Sequence, residues 1–196
     1  RCPRTLAVNV AGATLQRPDI VERVGEILSR NGVPPARLVL ELSETDAACL
    51  TEALLSGIDG LAAGGVRFML DEFGSGSGSL KAISQFPLCG IKVDGRHIAG
   101  EGGGDPTRAE AVMLSVVDVA RRLGMVVVAS GIQCEDGLNR LAGYGCTVFQ
   151  GHLFGPVGPQ IPTDLLAAPV CDRLASQPAA ANDGRPRLLL PEASVG

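Results

Sequence analysis

The chain has 196 residues, 45% hydrophobic and 19% charged, enough apolar material for one sizeable core and so for one domain. A formal net charge of −4 and 3% aromatic residues exclude a general DNA or RNA binder, which needs basic stripes for phosphate and rings for stacking. No apolar run reaches membrane-spanning length and no signal peptide is present. A cytoplasmic location without direct membrane insertion is therefore expected, with tethering through sequence upstream of Arg1 left open.

In chain order, LAVNV (6–10) reads as a strand carrying Asn9 near its end. Ile20, Val21, Val24, Ile27 and Leu28 then recur at helix period, between Pro18 in a first turn and Asn31-Gly32 as a left-handed stop. RLVLEL (37–42) is the next strand, with Glu41 close to its end and Glu44 just beyond. Leu50, Leu54, Ile58 and Leu61 mark a second helix, halted at Gly64-Gly65 and followed by the strand VRFMLD (66–71).

There the pattern breaks into LDEFGSGSGS (70–79), two adjacent acids followed by a loop of Gly and Ser. A short helix near SLKAISQF leads into CGIKVD (89–94). A third long helix starts near Pro106, uses Val112, Val116, Val119 and Leu123, and stops at Gly124 before MVVVA (125–129). A fourth, around Leu138 and Leu141, stops at Gly145 before CTVFQ (146–150). The Pro- and Ala-rich tail, residues 158–196, is expected to be partly disordered, which leaves 1–157 as the structured domain.

Strands this uniformly apolar are buried on both faces, which means parallel pairing under covering helices. The predicted fold is α/β: a TIM-like (β/α) barrel, incomplete, with about six of the eight βα units present and the first two strands upstream of Arg1. An open doubly wound sheet is the alternative, but NVAGATLQ after the first strand is not its GxGxxG loop. The six cysteines form no CxxC pair, and His97 and His152 lie far apart. Buried free thiols in a reducing compartment are expected rather than a zinc site.

The strand ends carry the polar residues: Asn9, Glu41 with Glu44, Asp71 with Glu72, Lys92 with Asp94, and Gln150. In a parallel barrel these ends share the face where active sites form. Singly, each has a structural explanation, such as a turn cap for Asp71-Glu72 or an internal ion pair for Lys92 and Asp94. Their recurrence at equivalent places in successive units argues for a site. Carboxylates gathered in one cavity repel unless a cation neutralises them, and hard oxygen donors suit Mg²⁺ or Mn²⁺. Two such ions about 3.5–4 Å apart can drive phosphoryl chemistry.

The ordered set VNV, LVLELSE, LDEFGSGSGSL, IKVD, VVVASGIQ and VFQGHLFGP resembles the EAL domain, the bacterial cyclic di-GMP phosphodiesterase family, over roughly residues 5–157. The resemblance implies that Asn9, Glu41 and Asp71 are metal ligands, with Glu72 standing where the family has a second Asp. It implies Lys92 as the catalytic lysine, Gln150 and Asp94 as substrate-site residues, and Glu44 as a brace for the loop after Asp71. That loop couples metal binding to dimer contacts in the family.

Departures accompany the likeness. The Glu-Ala-Leu signature would lie upstream of this chain, and Glu72 adds a methylene to a metal ligand. Where the family reads Ala-Glu-Gly-Val-Glu, this sequence reads ASGIQ, so Ser130 and Gln133 replace two acids. A serine hydroxyl supplies no negative ligand and accepts no proton at neutral pH. The implied protein is thus a degenerate EAL domain, acting as a cyclic di-GMP-binding or protein-interaction module, with a partner protein or an EAL homodimer as its assembly. The competing expectation is an active Mg²⁺- or Mn²⁺-dependent phosphodiesterase that yields linear pGpG.

Overall fold

The structure, a computed structural model, describes residues 5–49, 51–74, 79–95, 106–155 and 187–189. It divides into two compact units, Pro3–Gly90 and Ile91–Gly196, and the division falls within one strand, Leu88–Asp94.

In the first unit, β1 (Leu6–Asn9), β2 (Leu38–Ser43) and β3 (Arg67–Asp71) lie side by side in chain order. They are parallel, with Asn9 opposite Glu41, Glu41 opposite Met69, and Ser43 opposite Asp71. Parallel neighbours need crossovers, and helices supply them. Between β1 and β2 run α1 (Gly12–Leu15) and α2 (Ile20–Arg30); between β2 and β3 run α3 (Glu44–Ala48) and α4 (Glu52–Ala63).

Local chemistry sets these boundaries. Ser43 Oγ accepts the Asp46 N–H at 3.1 Å to cap α3, and Thr51 Oγ1 accepts the Leu54 N–H at 3.1 Å to cap α4. Gly32, with φ 61°, and Gly65, with φ 95°, supply the left-handed residues that end α2 and α4. Leu15, Leu42, Leu54, Ile58, Leu61, Phe68 and Leu70 are buried between strands and helices, each burial contributing about 1.5–3 kcal/mol. Gly57 lets α4 come close: a Cβ there would overlap the Leu15 carbonyl oxygen.

Two expectations fail in this unit. Along α2 only Ile20 and Leu28 of the apolar stripe are buried, while Val21 and Ile27 are exposed, so the inward face is narrower than the periodicity implies. Nor is β1 buried on both faces: Leu6, Val8 and Asn9 are all exposed, because it is the outermost strand of the order. After β3 comes α5 (Ser79–Gln85), which buries Ala82; residues 75–78 of the Gly-Ser loop lie outside the described residues.

β4 (Leu88–Asp94) carries the chain into the second unit, where α6 (Pro106–Arg122), β5 (Val126–Ser130), α7 (Glu135–Gly143), β6 (Val148–Gln150) and β7 (Arg187–Leu189) follow. β5, β6 and β7 are parallel neighbours, with Val128 opposite Val148 and Gln150 opposite Leu189. The short strand β7 arises inside the tail expected to be partly disordered; residues 156–186 and 190–196 lie outside the described residues.

α6 turns a different side inward from the one its periodicity selects. Met113 and Ala120, two turns apart, are buried, whereas Val112, Val119 and Leu123 are exposed. An unbranched side chain and a methyl group let the helix approach closely, where branched valines would hold it off. The cysteines also correct an expectation. All four described ones are free, but Cys49 and Cys134 are exposed, Cys89 is half-buried, and only Cys146 is buried. Burial alone pushes the Cys146 thiol up to about 12, which makes it inert. Cys2 and Cys171 fall outside the described residues. No described helix is long and apolar enough to cross a membrane.

Candidate functional site

Register decides which side chains of the first unit share a face. Asn9, the last residue of β1, stands opposite Glu41, two residues before the end of β2. Asp71 stands opposite Ser43, two residues beyond Glu41, and residues two apart on a strand face the same way. The two carboxylates and the amide therefore lie on one face of the strand ends. Glu41 is buried, with 3% of its surface exposed.

Glu72 breaks the alternation. Its φ of 55° makes it the one non-glycine residue with positive φ among those described, and its N–H donates to the Asp71 carboxylate at 2.7 Å. Such a conformation costs a residue with a Cβ about 1–2 kcal/mol. Glu44, completely buried at the start of α3, accepts the Gly74 N–H on Oε2 at 2.8 Å. Glu44 thus holds the backbone at Gly74, just ahead of residues 75–78. A carboxylate acceptor makes this hydrogen bond one of the stronger kind.

At the other end of the same strands lies packing rather than a site. Arg67 donates to Thr5 Oγ1 at 3.2 Å, and its Nε is buried without an acceptor. Burial pushes the neighbouring Cys89 thiol up, and the Arg67 charge opposes that shift.

The second unit carries Lys92 and Asp94 two apart on β4, hence on one side of it; Lys92 is buried and Asp94 half-buried. Ser130 ends β5 and Gln150 ends β6. Ser130 Oγ donates to the Val93 carbonyl at 3.1 Å, so its proton is committed to the backbone of β4. Gln133 is exposed in the following turn. That turn is stitched to β6: the Ile132 N–H donates to the Gln150 carbonyl at 3.0 Å, and the Leu153 N–H donates to the Ile132 carbonyl at 3.1 Å. Gly151 makes the stitch possible, since a Cβ there would overlap the Ile132 backbone.

Among the described residues no three His, Cys, Asp or Glu side chains come together as a metal cage. The donor chemistry of Asn9, Glu41 and Asp71 nonetheless fits a hard divalent cation. Mg²⁺ in particular is held by one or two carboxylates and keeps several waters. Sequence reasoning missed three contributors: the Gly74 amide, the left-handed Glu72 backbone, and Gly151 beneath Gln150. Only the last left a trace in the sequence, as a glycine directly after a strand.

Parallel strands alternating with helices, with acids, an amide and a lysine at their C-terminal ends, define an α/β domain of the TIM-barrel class. Residues 2–157 match the EAL domain model, and this chain belongs to that family. The cyclic di-GMP phosphodiesterase RocR of Pseudomonas aeruginosa is 31% identical over 158 residues, covering 81% of this chain and 40% of RocR. The solved structure of the PaMucR phosphodiesterase in complex with c-di-GMP is similar with a TM-score of 0.69 and 29% identity, over 78% of this chain and 61% of that one. Klebsiella pneumoniae BlrP1, solved with manganese and cyclic di-GMP, is similar with a TM-score of 0.70 and 28% identity, over 77% of this chain and 38% of that one. The chain thus spans about two fifths of RocR's length.

Proposed function

We propose that this chain is a degenerate EAL domain that binds cyclic di-GMP and hydrolyses it poorly, acting as a regulatory module. The observation that carries the reading is Ser130, which stands where the resemblance expects a glutamate and gives its hydroxyl proton to the Val93 carbonyl. A serine so placed offers neither negative charge to a second cation nor a base to a water. Loss of a general base typically costs about 10²–10⁴-fold in rate. Gln133 removes a second charge, and Glu72 sits in a backbone conformation better suited to Asp or Asn.

The remaining residues support binding. Asn9, Glu41 and Asp71 would hold one Mg²⁺ or Mn²⁺, with Glu72 beside them. When bound, that cation supplies the positive charge that draws in the phosphodiester. Lys92 adds a second positive charge, while Gln150 and Asp94 are suited to hydrogen-bond the nucleotide. A homodimer or a partner protein would read the bound state through the loop that Glu44 braces.

The second reading, an active phosphodiesterase, is favoured by the unaltered set Asn9, Glu41, Asp71 and Lys92. Incubation of the full-length protein with cyclic di-GMP and Mn²⁺ separates the two. The nucleotide should bind yet turn over at least about a hundredfold slower than with RocR under the same conditions. Ser130→Glu with Gln133→Glu should recover part of that rate. Turnover by the unaltered protein at RocR's rate would refute the proposal.

A further inference from the structure

We infer that His152 is a base-recognition residue, the side chain with which this domain contacts a guanine of cyclic di-GMP; the inference rests on the proposed nucleotide binding. His152 lies two residues beyond Gln150, at the C-terminal end of β6, and opens a single 3₁₀ turn, His152–Phe154. The acids, amides and lysine already placed at the strand ends suit a cation, a phosphodiester and polar groups, and none of them brings a ring. A nucleobase is flat and is held largely by stacking on one. Rings are scarce in this chain. Among the described residues Phe68, Phe86 and Phe149 are buried, Phe73, Tyr144 and Phe154 are half-buried, and His152 alone is exposed.

An exposed histidine on a loose loop would mean little, but His152 is mounted on a fixed backbone. The Phe154 N–H donates to the Gly151 carbonyl and the Gly155 N–H to the His152 carbonyl, both at 3.2 Å, which closes the turn on itself. The Leu153 N–H donates to the Ile132 carbonyl at 3.1 Å, which ties the turn to the segment after β5. Gly151, directly before the ring, is buried against the Ile132 backbone, and its own backbone is extended, so the glycine serves that close approach. The residues on both sides of His152 are therefore held. Only the side-chain torsions of the imidazole are left to order when a ligand arrives, which keeps the entropic cost of recognition low.

Imidazole supplies what guanine presents. Its face can stack on a purine, and a ring N–H can donate to the N7 or O6 acceptor of guanine. Adenine carries an N6 donor in the place of O6, so an N–H aimed there meets another donor and loses the bond. His152 thus supplies discrimination between bases, which a lysine or a metal ion that reads phosphate cannot.

Titration calorimetry of the full-length protein with cyclic di-GMP and with its adenine counterpart, cyclic di-AMP, tests this. His152→Ala removes the ring and should weaken cyclic di-GMP binding at least about fivefold. His152→Phe keeps the stacking face and removes the N–H. It should retain most of the affinity but lower the preference for cyclic di-GMP over cyclic di-AMP by about two- to tenfold. At an exposed position neither substitution should move Tm by more than about 1–2 °C, which separates lost recognition from lost fold. Cyclic di-GMP binding by His152→Ala within about twofold of the unaltered protein would overturn the inference and leave nucleotide binding standing. A guanine preference that both variants keep would do the same. Failure of the unaltered protein to bind cyclic di-GMP at all would refute nucleotide binding itself, and the role of His152 with it.

Discussion

Glu72 shows how one methylene can matter twice. As a ligand it reaches differently from aspartate; as a backbone residue it occupies φ 55°, where Asn and Asp are several-fold enriched over other side chains. Strain of this kind persists where surrounding structure imposes it, and the Asp71 carboxylate accepting the Glu72 N–H is part of that imposition. Replacing Glu72 by Asn should therefore stabilise the protein by about 0.5–1 kcal/mol, since Asn tolerates the left-handed region at lower cost. A urea midpoint that rises at unchanged slope would report this; a fall would mean that the Glu72 side chain makes contacts worth more than the strain. Glu44 is the opposite case. Its carboxylate is completely buried, and its hydrogen bond to the Gly74 N–H gives that burial a purpose. The identity of the acid was legible in the sequence, and its acceptor role toward a glycine amide thirty positions away was not.

Elements were the most legible scale. The glycines at 32, 65, 124 and 145 all have positive φ, as stops read from the sequence should. Strands end at Asp71, Asp94 and Gln150 as read from the sequence, and β1 ends at Asn9, one residue earlier than read. What periodicity could not give was rotation about the helix axis. Along α6 the valine stripe and the Met113–Ala120 line are both at helical spacing, one residue apart, and only packing selects between them. Short helices such as α1 and α3 were missed because four or five residues carry too little period to detect. β7 was missed because composition speaks for a whole tail and not for three residues within it. The rotation of α6 has a direct test. Met113→Ala should cost about 2–5 kcal/mol, as deletions in a packed core do. Val112→Ala, at a position 62% exposed, should stay within about 0.5 kcal/mol. Equal costs in chemical denaturation would mean that the valine stripe is covered in solution.

At the scale of the molecule, the proposed cation site would couple metal binding to stability. The acids and amide at the ends of β1, β2 and β3 lie on one face, where a bound cation would add to the stability of the folded state. A ligand that binds only the folded state stabilises by RT ln(1 + [L]/Kd), about 2.7 kcal/mol at a hundred times Kd. For a domain of this size each kcal/mol raises Tm by about 2–4 °C, so saturating Mn²⁺ or Mg²⁺ should raise it by roughly 5–10 °C. Asp71→Asn removes one anionic donor at almost constant shape and should abolish most of the shift. Ser130→Glu should leave the shift from the first cation in place. Thermal denaturation with and without metal decides the matter: an undiminished shift in Asp71→Asn would place the cation elsewhere. A flat response in the unaltered protein would mean that Asn9, Glu41 and Asp71 hold no cation.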